Sequence, residues 1–144
     1  MPLTNFGSIL NFAETLEKED AALYAKLAEQ DGCADIKDML EQFIKDNKKN
    51  IQTAQRTRRE NVTEMILEPV KDFTRAPYAE VVADKELENM DAANALRISK
   101  KREQNAERYY SEAALKIKAL PEVSRALKTI GKKHTAHLKQ LDTV

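Results

Sequence analysis

Hydrophobic residues recur along most of the chain at the alternating spacing of three and four that places side chains on one face of an α-helix. Four such stretches predict helices at about residues 8–30, 35–62, 86–119 and 122–141. The Asp31-Gly32 pair is predicted to end the first helix as a C-cap and turn, and Pro121 to begin the fourth. The chain is therefore expected to be all-α.

The periodicity is lost between the second and third helices, at about residues 66–85. Pro69 and Pro77 interrupt any helix there, which predicts a long crossover connection. Two short turns and one long connection are typical of a four-helix bundle in which a single crossover joins two hairpins. We expect one domain over residues 1–144, with its helices running up-down-down-up.

Polar residues interrupt each apolar stripe near its middle. They are Glu17 and Asp20 in helix 1, Asn47 and Asn50 in helix 2, Glu103 in helix 3, and His134 and His137 in helix 4. Because an unpartnered polar group costs about 1–3 kcal/mol when it is buried, these residues are expected to bind one another or a ligand. Imidazole and carboxylate groups suit Zn, Fe, Mn or Ni. Glu103, His134 and His137 form a candidate three-ligand site, with Glu17 as a fourth candidate.

The two halves of the chain resemble each other. Glu17 and Glu103 are each followed seven residues later by a tyrosine, at Tyr24 and Tyr110. The spacing of helix 2 around Asn47 and Asn50 also matches that of helix 4 around His134 and His137. This pattern indicates two copies of one helical hairpin. Both tyrosines are predicted to pack in the core with their hydroxyls bonded to polar partners.

At these residues the sequence resembles the rubrerythrin branch of the ferritin-like superfamily. In that family helices 1 and 3 each provide one Glu, and helices 2 and 4 each provide a Glu-x-x-His. The similarity extends from LEKEDAALY through REQNAERYY to KKHTAHLKQL. It implies a ferritin-like four-helix bundle in which Glu17, Glu103 and His137 occupy ligand positions.

Three positions depart from the family pattern. Asn47 and Asn50 replace the Glu and His of helix 2, and His134 replaces the Glu of helix 4. Since both bridging carboxylates are missing, an intact di-iron centre is not expected, although Asp20 is a possible substitute. The candidate metal ligands are therefore Glu17, Glu103, His134 and His137.

Two interpretations of this remodelled centre remain open. In the first, the layer is a closed hydrogen-bond network or a weak metal site in a non-catalytic bundle. In the second, it holds one Fe, Mn or Zn ion for an oxidoreductase that handles peroxide or oxygen. The sequence leaves open whether the protein is an enzyme, and it identifies neither catalytic residues nor an electron donor.

Composition excludes several other classes. The 24 basic residues equal the 24 acidic ones, so no nucleic-acid partner is expected. The basic clusters, Arg56, Arg58 and Arg59 in helix 2 and Lys100, Lys101 and Arg102 in helix 3, are predicted to be solvated helix faces. Cys33 is the only cysteine, so neither a disulfide nor a rubredoxin-type CxxC module is expected.

The sequence shows no signal-peptide pattern and no apolar run of the roughly 18 residues that a membrane span requires. We therefore expect a cytoplasmic protein with no membrane association. The resemblance to rubrerythrins also implies a possible homodimer.

Overall fold

The computed structural model describes residues 6–61, 73, 78 and 90–144. These residues form four α-helices and one short 3-10 helix, with no strand among them, which confirms the all-α prediction. The α-helices are α1 (Phe6–Ala28), α2 (Lys37–Glu60), α3 (Ala92–Lys116) and α4 (Pro121–Asp142). Most of the predicted crossover lies outside the described residues.

The turn between α1 and α2 differs from the prediction. A 3-10 helix, Asp31–Ile36, begins where a C-cap and turn were expected, and α2 begins at Lys37 instead of near residue 35. Gly32 is required here by close packing, because a Cβ atom at this position would lie 2.4 Å from the carbonyl oxygen of Met90. The α1–α2 turn therefore lies against the residues that precede α3.

Helix α3 begins at Ala92, six residues later than predicted, and ends at Lys116 instead of near residue 119. Its start is fixed by Asp91, whose Oδ1 accepts a hydrogen bond from the backbone N–H of Asn94 at 2.8 Å. This side-chain cap satisfies one of the backbone donors that the first helical turn leaves unpaired. The prediction extended the helix too far because it followed hydrophobic spacing and overlooked this cap.

Cross-helix contacts define the directions of the helices. Glu14 and Glu17 of α1 bond Gln55 and Asn50 of α2 in reverse order, so these two helices are antiparallel. The same reversal relates α1 to α3, where Tyr109 reaches Ile9 and Arg102 reaches Asp20. It also relates α3 to α4, where Ser124 reaches Ala114 and Thr135 reaches Glu107. Since α1 is antiparallel to both α2 and α3, the four helices run up, down, down and up.

The core consists of two apolar clusters, one toward each end of the bundle. Leu16, Ala54, Ala106 and Ile130 belong to one cluster, whereas Leu23, Phe43, Ile98 and Leu141 belong to the other. On every helix the predicted polar residues lie between these two sets. Among the helices of the described residues, none combines the length and the apolar character that crossing a membrane requires.

Candidate metal centre

All of the predicted polar layer is buried. Its members are Glu17, Asp20, Asn47, Asn50, Glu103, His134 and His137, and each exposes 3% or less of its surface. Side chains from four helices therefore meet in one layer that water reaches poorly. Polar groups in such a place must be satisfied by one another or by a bound ligand.

Glu17 is held by the two asparagines of α2. Asn50 donates from Nδ2 to Oε1 of Glu17 at 2.5 Å, and Asn47 donates to the same oxygen at 3.4 Å. The two asparagines therefore act as amide donors to a carboxylate from α1. They bring no negative charge to the layer.

His134 lies between two carboxylates from different helices. Its Nε2 is 2.8 Å from Oε2 and 3.1 Å from Oε1 of Glu17 on α1, and its Nδ1 makes a short contact with Oε2 of Glu103 on α3. Each ring nitrogen thus faces a carboxylate that can accept a hydrogen bond from it when the nitrogen is protonated. This environment favours the doubly protonated imidazolium ion.

His137 has a similar environment one turn further along α4. Its Nδ1 lies 2.8 Å from Oε1 of Glu103, and its Nε2 lies 2.8 Å from Oδ2 of Asp46. The imidazole also stacks on Phe43, with ring centroids 3.9 Å apart. Glu103 therefore links the two histidines of α4 through its two oxygens.

Carboxylates and imidazoles alternate along this series of hydrogen-bonded side chains, and their charges shift one another's pKa values. Burial opposes ionisation of Glu103, but the adjacent His134 and His137 outweigh it and lower the pKa of Glu103 to about 2. Burial likewise opposes charge on both imidazoles, yet the neighbouring carboxylates raise the pKa of His134 well above its usual value and also raise the pKa of His137. Carboxylate and imidazolium each hold the other in its charged form.

Asp20 and Arg102 form a second ionic contact beside the histidines. Arg102 on α3 donates from Nε to Oδ1 of Asp20 at 2.7 Å, and its terminal nitrogen lies 2.5 Å from the same oxygen. Burial raises the pKa of Asp20 to about 7, although the charge of Arg102 opposes this shift. The other oxygen of Asp20, Oδ2, is buried without a hydrogen-bond partner among the described residues.

The prediction that Arg102 belongs to a solvated basic face was wrong. Arg102 exposes only 5% of its surface, whereas its neighbour Lys101 is exposed. Asp20 could have predicted the burial of Arg102, since a carboxylate on the inward stripe of one helix requires a cation from another. Asp46 was also missed, because it lies one position before the inward stripe of α2 and reaches His137 from its edge.

Two tyrosines border the layer, in agreement with their predicted packing role. The hydroxyl of Tyr24 donates to Oε1 of Glu103 at 2.9 Å. The Tyr110 ring stacks on His134, with centroids 5.4 Å apart, and its hydroxyl donates to the carbonyl of Ala13 at 3.4 Å. Both side chains are fully buried. Tyr110 also lines a groove of about 500 Å³ between α3 and α4, so this ring lies beside both the groove and His134.

Two groups of side chains have the proximity that a metal site requires. Glu103, His134 and His137 form the first, and Glu17, Asp20 and His134 form the second. Within each group the candidate ligand atoms all lie within 4.8 Å of one another. One divalent ion therefore fits the donor set, and the unpartnered Oδ2 of Asp20 supports this fit.

A di-iron centre does not fit these residues. Helices α2 and α4 bring Asn47, Asn50, His134 and His137 to the buried layer, and none of these residues is a carboxylate. Two adjacent divalent ions need carboxylates to neutralise them, and amide and imidazole groups are poor replacements.

Comparison with protein families, with curated proteins and with solved structures gives no match for this chain.

Proposed function

We propose that this protein is a rubrerythrin-like member of the ferritin-like superfamily whose di-iron centre has become a weak site for one divalent metal ion. In this proposal the bundle is non-catalytic. The helix directions support a ferritin-like fold, because two antiparallel hairpins whose middle helices are parallel need the long connection that such bundles possess. Residues 62–89 supply a connection of sufficient length.

The observation on which the metal proposal depends is the position of His134 between Glu17 and Glu103. A buried imidazole with a carboxylate at each nitrogen is already oriented as a metal ligand with a supporting carboxylate behind it. Removal of one proton exposes a nitrogen lone pair next to a negatively charged oxygen. The site is expected to be weak because the metal must displace a proton that two carboxylates stabilise.

The test is metal analysis of protein purified without chelator, followed by titration with Zn²⁺ and Fe²⁺. We expect up to one equivalent of a bound divalent ion, and a melting temperature that rises when the ion is added and falls when a chelator removes it. Less than about a tenth of an equivalent after titration, with an unchanged melting temperature, would overturn the proposal. An uptake of two equivalents would contradict its single-ion form.

A second candidate function is a mononuclear oxidoreductase that acts on peroxide or oxygen. It is favoured by the two buried tyrosines, since Tyr24 bonds Glu103 and Tyr110 stacks on His134. A redox-active Fe or Mn ion held by Glu103, His134 and His137 would supply one-electron chemistry next to these rings. In this case Fe²⁺-loaded protein supplied with an external reductant reduces hydrogen peroxide to water over many turnovers, whereas a non-catalytic bundle does not.

A further inference from the structure

The two candidate ligand groups share His134, but they differ in how many of their carboxylate oxygens already have a hydrogen-bond partner. Asp20 exposes 1% of its surface, and its Oδ2 has no hydrogen-bond partner in the described part of the chain. A carboxylate oxygen of Asp20 also lies within 4.8 Å of ligand atoms of Glu17 and His134. We propose that Glu17, Asp20 and His134 are the ligands of the ion, in place of Glu103, His134 and His137.

This proposal rests on the proposed function and identifies a ligand that the family pattern does not contain. In the competing group, both oxygens of Glu103 are fully engaged. Oε1 accepts from Tyr24 at 2.9 Å and from Nδ1 of His137 at 2.8 Å, and Oε2 contacts Nδ1 of His134. An ion bound there would break several buried hydrogen bonds at once, and each broken bond leaves a costly unpaired group.

The geometry of His134 assigns different tasks to its two nitrogens. Nε2 faces Glu17 at 2.8 Å, so an ion bound by both residues takes the place of the proton between them. Nδ1 keeps its proton and donates a hydrogen bond to Glu103. This bond orients the ring and makes Nε2 a better ligand. Because a neutral imidazole has only one free lone pair, His134 serves only one of the two groups at a time.

Arg102 is a positioning residue for this site. Its Nε donates a hydrogen bond to Oδ1 of Asp20, and its charge forms an ion pair with the same oxygen, which leaves Oδ2 as the oxygen for the ion. Asn50 similarly holds Oε1 of Glu17 at 2.5 Å and leaves Oε2 facing the imidazole. The donor set of two carboxylates and one imidazole is rich in oxygen and suits Mn²⁺, Fe²⁺ or Zn²⁺.

The experiment compares Asp20→Asn with Asp46→Asn by calorimetric titration of the full chain with Zn²⁺. Both variants convert a carboxylate into an amide of the same shape. Asp20 belongs to the proposed ligand group, whereas Asp46 contacts His137 of the competing group without belonging to it. We expect Asp20→Asn to weaken Zn²⁺ binding more than about 100-fold because it removes a ligand, and Asp46→Asn to change it less than about threefold. Circular dichroism must show that both variants remain helical.

The outcomes separate this inference from the proposed function. If Asp46→Asn weakens binding and Asp20→Asn does not, the protein binds a metal but the ligand assignment is wrong. If the wild-type protein takes up no Zn²⁺, the proposed function itself fails. Long-range ¹H–¹⁵N spectra of wild-type protein provide a test that needs no variant. Zn²⁺ should shift Nε2 of His134, and a coordination shift at His137 instead would overturn the assignment.

Discussion

Individual polar residues in this core depend on partners from other helices. Asn50 of α2 illustrates the point, because its amide binds Glu17 of α1. His134 of α4 similarly lies between carboxylates from α1 and α3. Such contacts pair most of the layer, but Oδ2 of Asp20 and Oδ1 of Asn47 are buried without a hydrogen-bond partner among the described residues.

The buried contact between Arg102 and Asp20 leads to a prediction about stability. Arg102→Met leaves the Asp20 carboxylate buried without its cation, so we expect the free energy of unfolding to fall by about 3–5 kcal/mol in urea denaturation. Lys101→Met is the matched control, since Lys101 is the exposed neighbour, and it should stay within about 0.5 kcal/mol of wild type.

A double variant distinguishes charge from packing as the cause. Asp20→Asn combined with Arg102→Met removes the uncompensated charge and should recover part of the lost stability. A double variant that is less stable than Arg102→Met alone would show that the guanidinium acts mainly by filling space. Equal losses for Arg102→Met and Lys101→Met would contradict the burial of this ion pair.

For individual residues, the sequence predicted which side chains form the polar layer but not how they pair. Spacing alone places Glu17, Asn47, Glu103 and His134 at the same height, because all of them interrupt apolar stripes. Pairing depends on rotamers and on the distances between helices, which spacing does not contain. Arg102 was misassigned for this reason, since the partner that buries it lies 82 positions earlier in the chain.

Helix α4 approaches α3 closely at the position of Gly131. A Cβ atom there would lie 3.1 Å from Cβ of Tyr110, which is nearer than such atoms normally approach. Tyr110 has little room to move, because it is fully buried and its ring stacks on His134. The glycine therefore sets the distance between the two helices beside the polar layer.

We expect Gly131→Ala to destabilise the protein despite the better helix propensity of alanine. The propensity gain is about 1 kcal/mol, whereas overpacking a close helix contact costs about 1–3 kcal/mol, so the net loss should be about 1 kcal/mol. Thr129→Ala is the control on the exposed face of α4 and should leave stability nearly unchanged. If the melting temperature of Gly131→Ala exceeds that of Thr129→Ala, this contact does not limit the helix spacing.

The helices themselves were largely predictable from hydrophobic spacing, and their ends were less so. The stripes of α1, α2 and α4 are buried as predicted, because each repeats over several turns. The start of α3 depends on one hydrogen bond from Asp91, and the 3-10 helix after α1 depends on contact with Met90. Local caps and distant contacts of this kind leave little trace in periodicity.

The molecule as a whole should respond to pH through its buried layer. The pKa of Glu103 is lowered to about 2 in the folded protein. Its contribution to stability is therefore fully present above the unfolded pKa of about 4.3 and is lost as pH falls toward 2. The pKa of His134 is raised, so its contribution is fully present below about 6.5 and is lost as pH rises through the folded pKa.

Asp20 acts in the same direction as His134, because burial raises its pKa to about 7. Its contribution to stability is fully present below the unfolded pKa of about 3.9 and is lost as pH rises through about 7. In a chelating buffer we therefore expect the melting temperature to be highest at about pH 4.5 and to fall on both sides. Glu103→Gln should weaken the fall in melting temperature on the acid side, whereas Glu41→Gln, at an exposed carboxylate outside the layer, should leave the shape of the profile unchanged. A melting temperature that rises from about pH 5 to pH 7 would contradict this profile, because it would mean that the buried histidines are neutral in the folded protein.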